Sequence, residues 1–207
     1  VDWLKLCGWF VSEGSTYCSE WKEYKNTTRG NSWTMSISNK TESERDEIRD
    51  LLNCLGFDFY ESDGAFNISN KIVALIFRLD FGKGSHSKSI PDWVFELDGR
   101  LTQNLLDKAF LGDGDKEGNR YTTSSERLRE DFIRLAFHCG KRAHYWGKDS
   151  GAFRIGYYDQ TRGVRPTVTH PNREMVDYKG EIVCLEVADN HTVLAGRNGK
   201  FNWTGQS

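Results

Sequence analysis

The pattern of apolar and polar positions contains two similar runs. Residues 3–14 are almost continuously apolar and end in Glu13 followed by glycine, and a second run over about 103–114 ends in Asp113 followed by glycine. Both runs predict a helix that stops at the glycine. In each run a small residue directly precedes the acid, so two such helices can pack closely and bring the two carboxylates together.

The segments that follow each run predict strands and helices in a repeated order. After the first run we predict two strands within 21–39 joined near 26–31, a helix over 41–56, a hairpin over 57–68, a short helix over 71–79, a loop over 82–89 and a new element from residue 90. After the second run we predict a strand over 121–124 and a helix over 125–139. The helices 41–56 and 125–139 carry apolar residues at matching distances from a final glycine, so the second half is predicted to be a shorter copy of the first.

The pattern of residues changes at about residue 166, from mixed helices and strands to strands and turns. Residues 178–187, 189–195 and 201–207 each predict a strand next to a turn, and Asn198-Gly199 is typical of a hairpin turn. This all-β tail does not continue the repeat. We therefore predict an α+β protein with a domain over 1–165, a boundary near 165–173, and a separate C-terminal segment over 166–207.

Length, charge and cysteine content limit the function classes. The chain has 207 residues and a net charge of −2, which excludes a globally basic nucleic-acid coat and leaves only local patches for DNA contact. No apolar run approaches the roughly 18 residues of a membrane span, and no export signal is visible. Five cysteines without CxxC spacing favour a reducing compartment. We therefore expect a cytoplasmic protein without membrane contact.

Two segments are locally basic and rich in aromatic residues. Residues 21–40 hold four basic side chains and one acid, and residues 141–165 hold six basic side chains and two acids. Two basic, aromatic sheets are typical of a saddle-shaped surface that binds duplex DNA. For either sheet taken alone, an ordinary solvent-exposed hairpin face is the alternative. The predicted DNA-binding residues are Lys22, Lys25, Arg29, Lys40, Lys148, Arg154, Arg162 and Arg165.

The two acids carry the main chemical signal. A carboxylate at the C-terminal end of a helix is disfavoured by the helix dipole, and two neighbouring carboxylates repel each other unless a cation binds between them. Glu13, Asp113 and exposed helix-end carbonyls therefore predict a hard-cation site, and bound Mg²⁺ would activate water and stabilise the leaving oxygen of a phosphodiester. Lys88, in the loop before the second run, is either a solvated lysine or a group that polarises that water.

The two runs resemble the paired motifs of the LAGLIDADG, or dodecapeptide, homing endonucleases. Residues 88–91 resemble the Lys-x-Ile-Pro segment that precedes the second motif in members carried by inteins, and residues 122–140 resemble the segment that follows it. The resemblance covers about residues 3–165. It implies two αββαββα repeats, at about 1–100 and 101–165, with Mg²⁺-dependent cleavage of double-stranded DNA. It also implies Glu13 and Asp113 as metal ligands, Glu13 being an allowed variant of the usual aspartate.

The tail resembles the C-terminal splicing segment of inteins, which have the Hint fold. The resemblance places Cys184 at the family's Asp-or-Cys position and His191 at its catalytic histidine. It makes Gln206 the last intein residue, which cyclises and cuts its own peptide bond, and Ser207 the first residue of the C-extein. Glutamine must close a six-membered imide, so slower cyclisation is expected than with the usual asparagine.

The first splicing block of an intein does not precede Val1. We therefore expect a piece of a longer intein, or the C-terminal piece of a split intein that needs an N-terminal partner. The sequence predicts an Mg²⁺-dependent endonuclease joined to the C-terminal half of a splicing domain. The alternative is a catalytically decayed DNA- or RNA-binding module within a splicing element. Separately, the alternatives to the splicing roles are a buried strand thiol for Cys184 and a turn histidine for His191.

Overall fold

The computed structural model describes residues 1–19, 32–114, 120–147, 151–158, 175–181, 186–188, 191–197 and 200–205. The helices are α1 (Asp2–Glu13), α2 (Glu42–Cys54), α3 (Lys71–Phe81), α4 (Gly99–Asp113) and α5 (Glu126–His138), with a short 3-10 helix at Asp92–Glu96. The strands are β1 (Gly14–Ser19), β2 (Ser32–Ser38), β3 (Tyr60–Ser62), β4 (Ala65–Ile68), β5 (Arg120–Thr123), β6 (Arg142–Gly147), β7 (Phe153–Tyr158), β8 (Thr192–Arg197) and β9 (Lys200–Gly205). The predicted α+β class is confirmed.

The first sheet is antiparallel, in the order β1-β2-β4-β3. Its register places Ile37 between Gly14 on one side and Phe66 on the other. Successive side chains of a strand alternate between faces, so Met35, Ile37, Phe66 and Ile68 share one face, and all four are buried. Helix α3 packs against β1 and β2. The opposite face of this sheet carries no helix among the described elements.

The second sheet is also antiparallel, in the order β5-β7-β6-β9-β8. Tyr121 of β5 lies opposite Ile155 of β7, and both are buried on the face that packs against α5. The C-terminal hairpin of β8 and β9 joins this sheet through the pairing of Lys200 with His144 of β6. The predicted strands over 189–195 and 201–207 therefore correspond to β8 and β9, which pair as a hairpin. The described residues of the predicted strand 178–187, which are 178–181 and 186–187, form no strand, and the predicted turn at 198–199 lies outside the described residues. The domain boundary near 165–173 stays a prediction.

Corresponding residues confirm the predicted repeat. Gly56 and Gly140, 84 positions apart, follow helices α2 and α5 and have φ of +72° and +71°, which glycine adopts at low cost. At the start of these helices, the Asn39 side chain accepts a hydrogen bond from the Thr41 N–H at 2.8 Å. Thr123 Oγ1 accepts the equivalent bond from Ser125 N–H at 3.0 Å. The two halves therefore share local hydrogen bonds as well as element order.

The second half is shorter than the resemblance implies. The first half has the expected αββαββα order over Asp2–Phe81, whereas α4 to β7 follow the order αβαββ among the described residues. Gly114, which follows α4 as Gly14 follows α1, forms a bridge with Tyr121, and residues 115–119 and 159–174 lie outside the described ranges. The full expected order is therefore seen for the first copy in the described residues, and for the second copy it stays a prediction.

Two element boundaries differ from the sequence predictions. Helix α4 begins at Gly99, before the predicted residue 103, because the Asp98 carboxylate accepts a hydrogen bond from the Arg100 N–H and caps it. Strand β1 begins at Gly14, directly after α1, where no strand was predicted. The strand predicted from residue 21 lies outside the described residues.

The core lies between the helices and the two sheets. Helix α1 is buried from Leu6 to Val11, and its Phe10 ring packs against Phe77 of α3 at 4.6 Å between centroids. Phe110 of α4 packs in the same way against Phe132 of α5 at 5.4 Å. No helix in the described ranges is long and apolar enough to cross a membrane. Four cysteines in these ranges are free.

Candidate active site at the two acidic helix ends

Helices α1 and α4 pack against each other where each lacks a side chain. A Cβ on Gly8 would lie 2.5 Å from the Leu105 carbonyl oxygen and 2.8 Å from the Lys108 Cβ. A Cβ on Gly112 would lie 2.3 Å from Ser12 Oγ and 3.2 Å from Glu13 Cγ. The predicted close packing of the two runs is confirmed, and it places Glu13 beside the residue that precedes Asp113.

The glycine after each acid is required by the tight end of its helix. Gly14 and Gly114 both have an extended backbone. An added Cβ would lie 2.5 Å from the Phe10 carbonyl oxygen at Gly14 and 1.9 Å from the Phe110 carbonyl oxygen at Gly114. The chain therefore turns sharply from helix into sheet immediately after each carboxylate, which fixes both acids at the top of the helix pair.

Glu13 carries unfavourable negative charge. Burial, which has the largest effect, and the nearby Asp113 and Glu44 together raise the pKa of its carboxyl to about 7, against the opposing effect of Lys88. Glu44 was not predicted as a site residue. It lies in the first turn of α2, and its carboxylate accepts a hydrogen bond from the Asn39 side-chain amide at 2.8 Å. The equivalent position of the repeat in the second half is Leu128, so this acid has no counterpart at that position.

Asp113 has a different neighbour. Loss of hydration raises the pKa of this carboxyl, although the residue still contacts solvent, while Lys88 and a hydrogen bond from the Tyr121 hydroxyl lower it. The same hydroxyl lies 3.4 Å from the Val11 carbonyl oxygen. Tyr121 is buried, and burial and the two acids hold the pKa of its phenol well above the usual range. The tyrosine therefore stays a neutral hydrogen-bond donor between the two helix ends.

Lys88 is buried and binds the end of helix α1. Its Nζ donates to the carbonyl oxygens of Phe10 at 2.9 Å, Val11 at 2.6 Å and Ser12 at 3.2 Å. A lysine ammonium has three N–H donors, so all of them have acceptors. Burial lowers the pKa of Lys88 to about 8, while Asp113 and Glu13 act in the opposite direction. The alternative of a solvated loop lysine is therefore wrong.

The loop that carries Lys88 is held by helix α5. Ser125 Oγ donates to the Lys88 carbonyl oxygen at 2.7 Å, and the Ile90 N–H donates to the Asp131 carboxylate at 2.8 Å. Both helix contacts are buried. The second half therefore holds a lysine against the acidic helix of the first half, and the ammonium lies near both carboxylates.

A cleft opens beside Glu13 on the first half. Its volume is about 390 Å³. The lining residues are Glu13, Ser38, Asn39, Lys40, Thr41, Glu44, Asp63, Gly64, Leu111, Gly112 and Gly114. Because Leu111, Gly112 and Gly114 come from the second half, the cleft lies between the two halves and gives solvent and ligands access to the carboxylate of Glu13.

The donor set fits a hard cation in part. Two carboxylates that each hold a proton more tightly than usual form a region of excess negative charge, which a cation relieves. The helix-end carbonyl oxygens were expected as further metal ligands. Those of α1 instead accept hydrogen bonds from Lys88. In the ranges that the structure describes, no three His, Cys, Asp or Glu side chains form a metal-binding group. The site fits Mg²⁺ that takes its remaining ligands from water and substrate phosphate.

The predicted DNA-binding residues are only partly described. Arg154 lies on β7, and its guanidinium is 5.9 Å from the ring centroid of Trp146. Lys40 is exposed and lines the cleft between β2 and α2. The other six predicted residues, Lys22, Lys25, Arg29, Lys148, Arg162 and Arg165, lie outside the described ranges.

Of the four predicted splicing residues, His191 lies within the described residues. His191 is exposed, has φ of +49° and directly precedes β8. Cys184, Gln206 and Ser207 lie outside the described residues. The roles given to these four residues stay predictions.

The fold resembles that of LAGLIDADG homing endonucleases. Two solved structures of the homing endonuclease I-DmoI superpose on the chain with a TM-score of 0.56, covering 76% of this chain and 88% of the other. One represents mesophilic variants, at 15% identity, and the other is a variant bound to its nicked target DNA in the presence of manganese, at 14% identity. Identity this low establishes the shared fold alone. No family model matches the chain.

Sequence relatives are segments of proteins with different names. The chain is 30% identical over 142 residues to an ATP-dependent Clp protease proteolytic subunit of Chlamydomonas moewusii, and 29% identical over 154 residues to a DNA polymerase of Thermococcus kodakarensis. It is 24% identical over 260 aligned positions to the C-terminal section of an RNA polymerase beta subunit of Stigeoclonium helveticum. These matches cover 67%, 73% and 99% of the chain but only 14%, 9% and 24% of the relatives.

Proposed function

We propose that this chain is an intein-type homing endonuclease that cuts both strands of duplex DNA, joined to the C-terminal segment of a protein-splicing domain. The pairing of Glu13 and Asp113 at the glycine-packed ends of α1 and α4 carries the proposal. Two carboxylates held side by side repel each other, and a bound cation relieves this repulsion. The cation supplies the opposite charge for both carboxylates and would also bind the anionic phosphodiester.

The named activities of the relatives support an inserted element. A protease subunit, a DNA polymerase and an RNA polymerase subunit share no named activity, yet each contains a segment similar to this chain. A segment that occurs in proteins with unrelated activities is explained by insertion into their genes. An intein fits this pattern because it leaves the host protein intact after splicing.

Each site residue has a separate role in the proposed reaction. Glu13 and Asp113 hold the Mg²⁺, which would activate water and stabilise the leaving oxygen of the phosphodiester when bound. Lys88 fixes the end of α1 and partly neutralises the two acids. Tyr121 holds Asp113 through a hydrogen bond and stays protonated. We assign the duplex DNA to the side of the molecule onto which these carboxylates and the cleft open.

The C-terminal hairpin supports the proposed splicing segment. Thr192, which directly follows His191, pairs with Gly205, which directly precedes Gln206. The strand register therefore agrees with the proposal that His191 assists the cyclisation of Gln206 and the release of the C-extein at Ser207. Cys184 is proposed as a further splicing residue, and the N-terminal splicing half as the partner that completes the domain.

Plasmid cleavage tests the endonuclease. The substrate is supercoiled plasmid carrying the host gene with the inserted segment deleted, incubated with Mg²⁺. We expect linear product from the wild type and a loss of rate of at least about 100-fold in Glu13→Gln and in Asp113→Asn, because each removes a charged metal ligand. The exposed Glu96→Gln is the matched control and keeps the wild-type rate. A wild type that binds this DNA but cuts neither strand with Mg²⁺ or Mn²⁺ identifies the decayed binding module instead.

Co-expression tests the splicing segment. The chain, followed by a reporter after Ser207, is produced together with an N-terminal intein half that is fused to a second reporter. We expect ligated reporters, and their loss in Gln206→Ala. Ligation that persists in this variant shows that the junction lies elsewhere, and it leaves the endonuclease result unaffected.

A further inference from the structure

The C-terminal hairpin of β8 and β9 contacts the second half of the molecule through β6 and α5. The backbone of Lys200 bridges to that of His144 in β6, so the hairpin extends the second sheet by two strands. Phe137, near the end of α5, packs edge-on against Phe201 at 6.4 Å and against Trp203 at 6.3 Å between ring centroids. Strand β9 is therefore held both through its backbone and through its side chains.

Strand register explains why these rings meet. Within the hairpin, Trp203 lies opposite Leu194 and Phe201 lies opposite Gly196. Directly opposed residues share a face of a sheet, as do alternate residues of one strand, so Leu194, Phe201 and Trp203 lie on the face toward α5. Phe201 also packs against Tyr145 of β6, at 6.4 Å between centroids. The hairpin thus presents one apolar face to the second half.

The hairpin buries little surface of its own. Each of its strands has six residues, and none of their described side chains is fully buried. A two-stranded hairpin is marginally stable in water unless a further strand or a helix packs against it. Strand β6 and helix α5 supply both, so the order of the hairpin depends on the second half of the molecule.

The equivalent edge of the first half is closed. At the repeat offset of 84 positions, Tyr145 of β6 corresponds to Glu61 of β3. Strand β3 has three residues and lies at the edge of the first sheet among the described strands. Glu61 accepts hydrogen bonds from Arg45 and Arg49 of α2. Short, charged edge strands prevent pairing with a further strand.

The second half has apolar or aromatic residues at three positions where the first half is polar or charged. In chain order they are Ile133 for Arg49, Phe137 for Asn53 and Tyr145 for Glu61. Arg129, at the position of Arg45, lies over the Tyr145 ring with its guanidinium 4.5 Å from the centroid. The same repeat therefore ends in a charged, closed edge in one half and in an apolar edge that accepts two more strands in the other.

We propose that the edge formed by α5 and β6 is a docking surface for the splicing hairpin, and that docking positions the residues at the open end of the hairpin. This proposal rests on the proposed function. His191 directly precedes β8 and Gln206 directly follows β9, so the paired strands bring these two positions together. Phe137 and Tyr145 act through the hairpin and are positioning residues.

The reaction that docking assists is cleavage at the splice junction. The side-chain amide nitrogen of Gln206 forms a bond to the backbone carbonyl carbon of the same residue, and the bond from that carbon to the Ser207 nitrogen breaks. The proton that the amide loses goes to the Ser207 nitrogen, which leaves as an amine. The step needs an ordered hairpin, because the histidine and the glutamine come from its two different strand ends.

Hydrogen exchange of the full chain, followed by mass spectrometry, tests the docking. Phe137→Asn gives α5 the residue that the first half has at this position. Exchange of the β9 amides should become about 10-fold faster in this variant, because the edge-on ring contacts are lost. Asn53→Ala, at the equivalent exposed position of the first half, is the matched control and leaves this exchange unchanged. Unchanged exchange in Phe137→Asn overturns the docking surface.

The co-expression experiment with an N-terminal intein half tests the positioning role. Phe137→Asn should lower the yield of ligated reporters at least about threefold, because the docked population falls. Its plasmid cleavage should keep the wild-type rate, which separates docking from a general loss of folding. Ligation at the wild-type yield despite faster exchange overturns the positioning role alone. A wild type that gives no ligated product refutes the proposed splicing function, and the positioning role with it.

A change on the hairpin side keeps the test decisive if Phe137→Asn does not fold. Phe201→Thr removes the shared ring contact without altering α5 or β6, and threonine suits a strand. It should reproduce the faster exchange and the lower ligation yield. In the double variant the two effects on exchange should combine to less than their product, because both changes remove one contact. Effects that multiply fully show that the two residues act independently and overturn the docking surface.

Discussion

The two halves of the molecule share a backbone plan but differ in the chemistry around their acids. Glu13 is next to a third acid, Glu44, and an open cleft, whereas Asp113 accepts a hydrogen bond from the buried Tyr121. The first sheet presents neutral hydroxyl and amide groups outward, and the second presents arginines and stacked rings. The residues common to both halves are those that the helix interface and the turns require.

The comparison of the two halves shows which positions are constrained by packing and which positions can differ with function. A glycine after each acid is required because the chain reverses against its own helix end. By contrast, Leu128 at the position of Glu44, and Tyr121 at the position of Ile37, leave the backbone unchanged. The two carboxylates are therefore expected to respond unequally to the same change.

The largest expected effect comes from filling the gap in α1. Gly8→Ala should lower the free energy of unfolding by about 2–4 kcal/mol, because the new Cβ meets the fixed carbonyl oxygen of Leu105. Gly112→Ala should cost less, because the atom it meets first is the Ser12 hydroxyl. Gly147→Ala, at a position with open space, is the control. Urea denaturation gives all three values, and a larger loss for Gly112→Ala than for Gly8→Ala would contradict the asymmetry of the interface.

An intermediate effect is expected at Lys88. Lys88→Met should lower the free energy of unfolding by about 1–3 kcal/mol, because the carbonyl oxygens of Phe10 and Val11 each lose a charged hydrogen-bond donor. Lys83→Met, in the same loop but exposed, should be neutral. Thermal unfolding followed by circular dichroism measures both. Equal stability of the two variants would mean that Lys88 does not support the end of α1.

The smallest effect is a gain of stability without metal. The folded-state pKa of Glu13 is raised from 4.5 to about 7, so the stability that its proton provides is fully present below pH 4.5 and is lost as the pH rises through 7. In chelator, Glu13→Gln should therefore gain about 1–2 kcal/mol at pH 8 and nothing at pH 4, after allowance for solvent screening. Asp113→Asn should change in the same direction. Glu96→Gln provides the control in denaturation at both pH values, and a loss of stability in Glu13→Gln at pH 8 would be the contrary result.

Much of the fold follows from local sequence signals. Apolar periodicity and final glycines predicted helices α1, α2 and α5, and the Asp63-Gly64 turn predicted the hairpin of β3 and β4. These signals act within a few residues, so a single sequence contains them. The pairing of Glu13 with Asp113 could also be predicted, because the two runs share small residues before their acids.

Other parts of the site depend on contacts between distant segments. Glu44, in the first turn of α2, is distant in sequence from Glu13 and comes near it only in the fold. Tyr121 of the second half likewise contacts Val11 of the first half. The position of Arg142 and Arg154 on one face of the second sheet depends on strand register. The sequence analysis counted basic residues by segment and so did not predict it. The sequence did contain a signal for Tyr121. It lies 84 positions after Ile37, which is the offset between the two repeats, and strand alternation then predicts which face of the sheet it occupies.

The complementary gaps in the two central helices make each half the required partner of the other. Gly8 leaves room for the Lys108 side chain, whose ammonium then reaches Glu47 of the first half at 2.7 Å, and Gly112 leaves room for Ser12. A symmetric pair of first halves would face glycine with glycine and leave a void, and a pair of second halves would face lysine with lysine. These complementary gaps therefore favour pairing of the two different halves over a symmetric pair of either one.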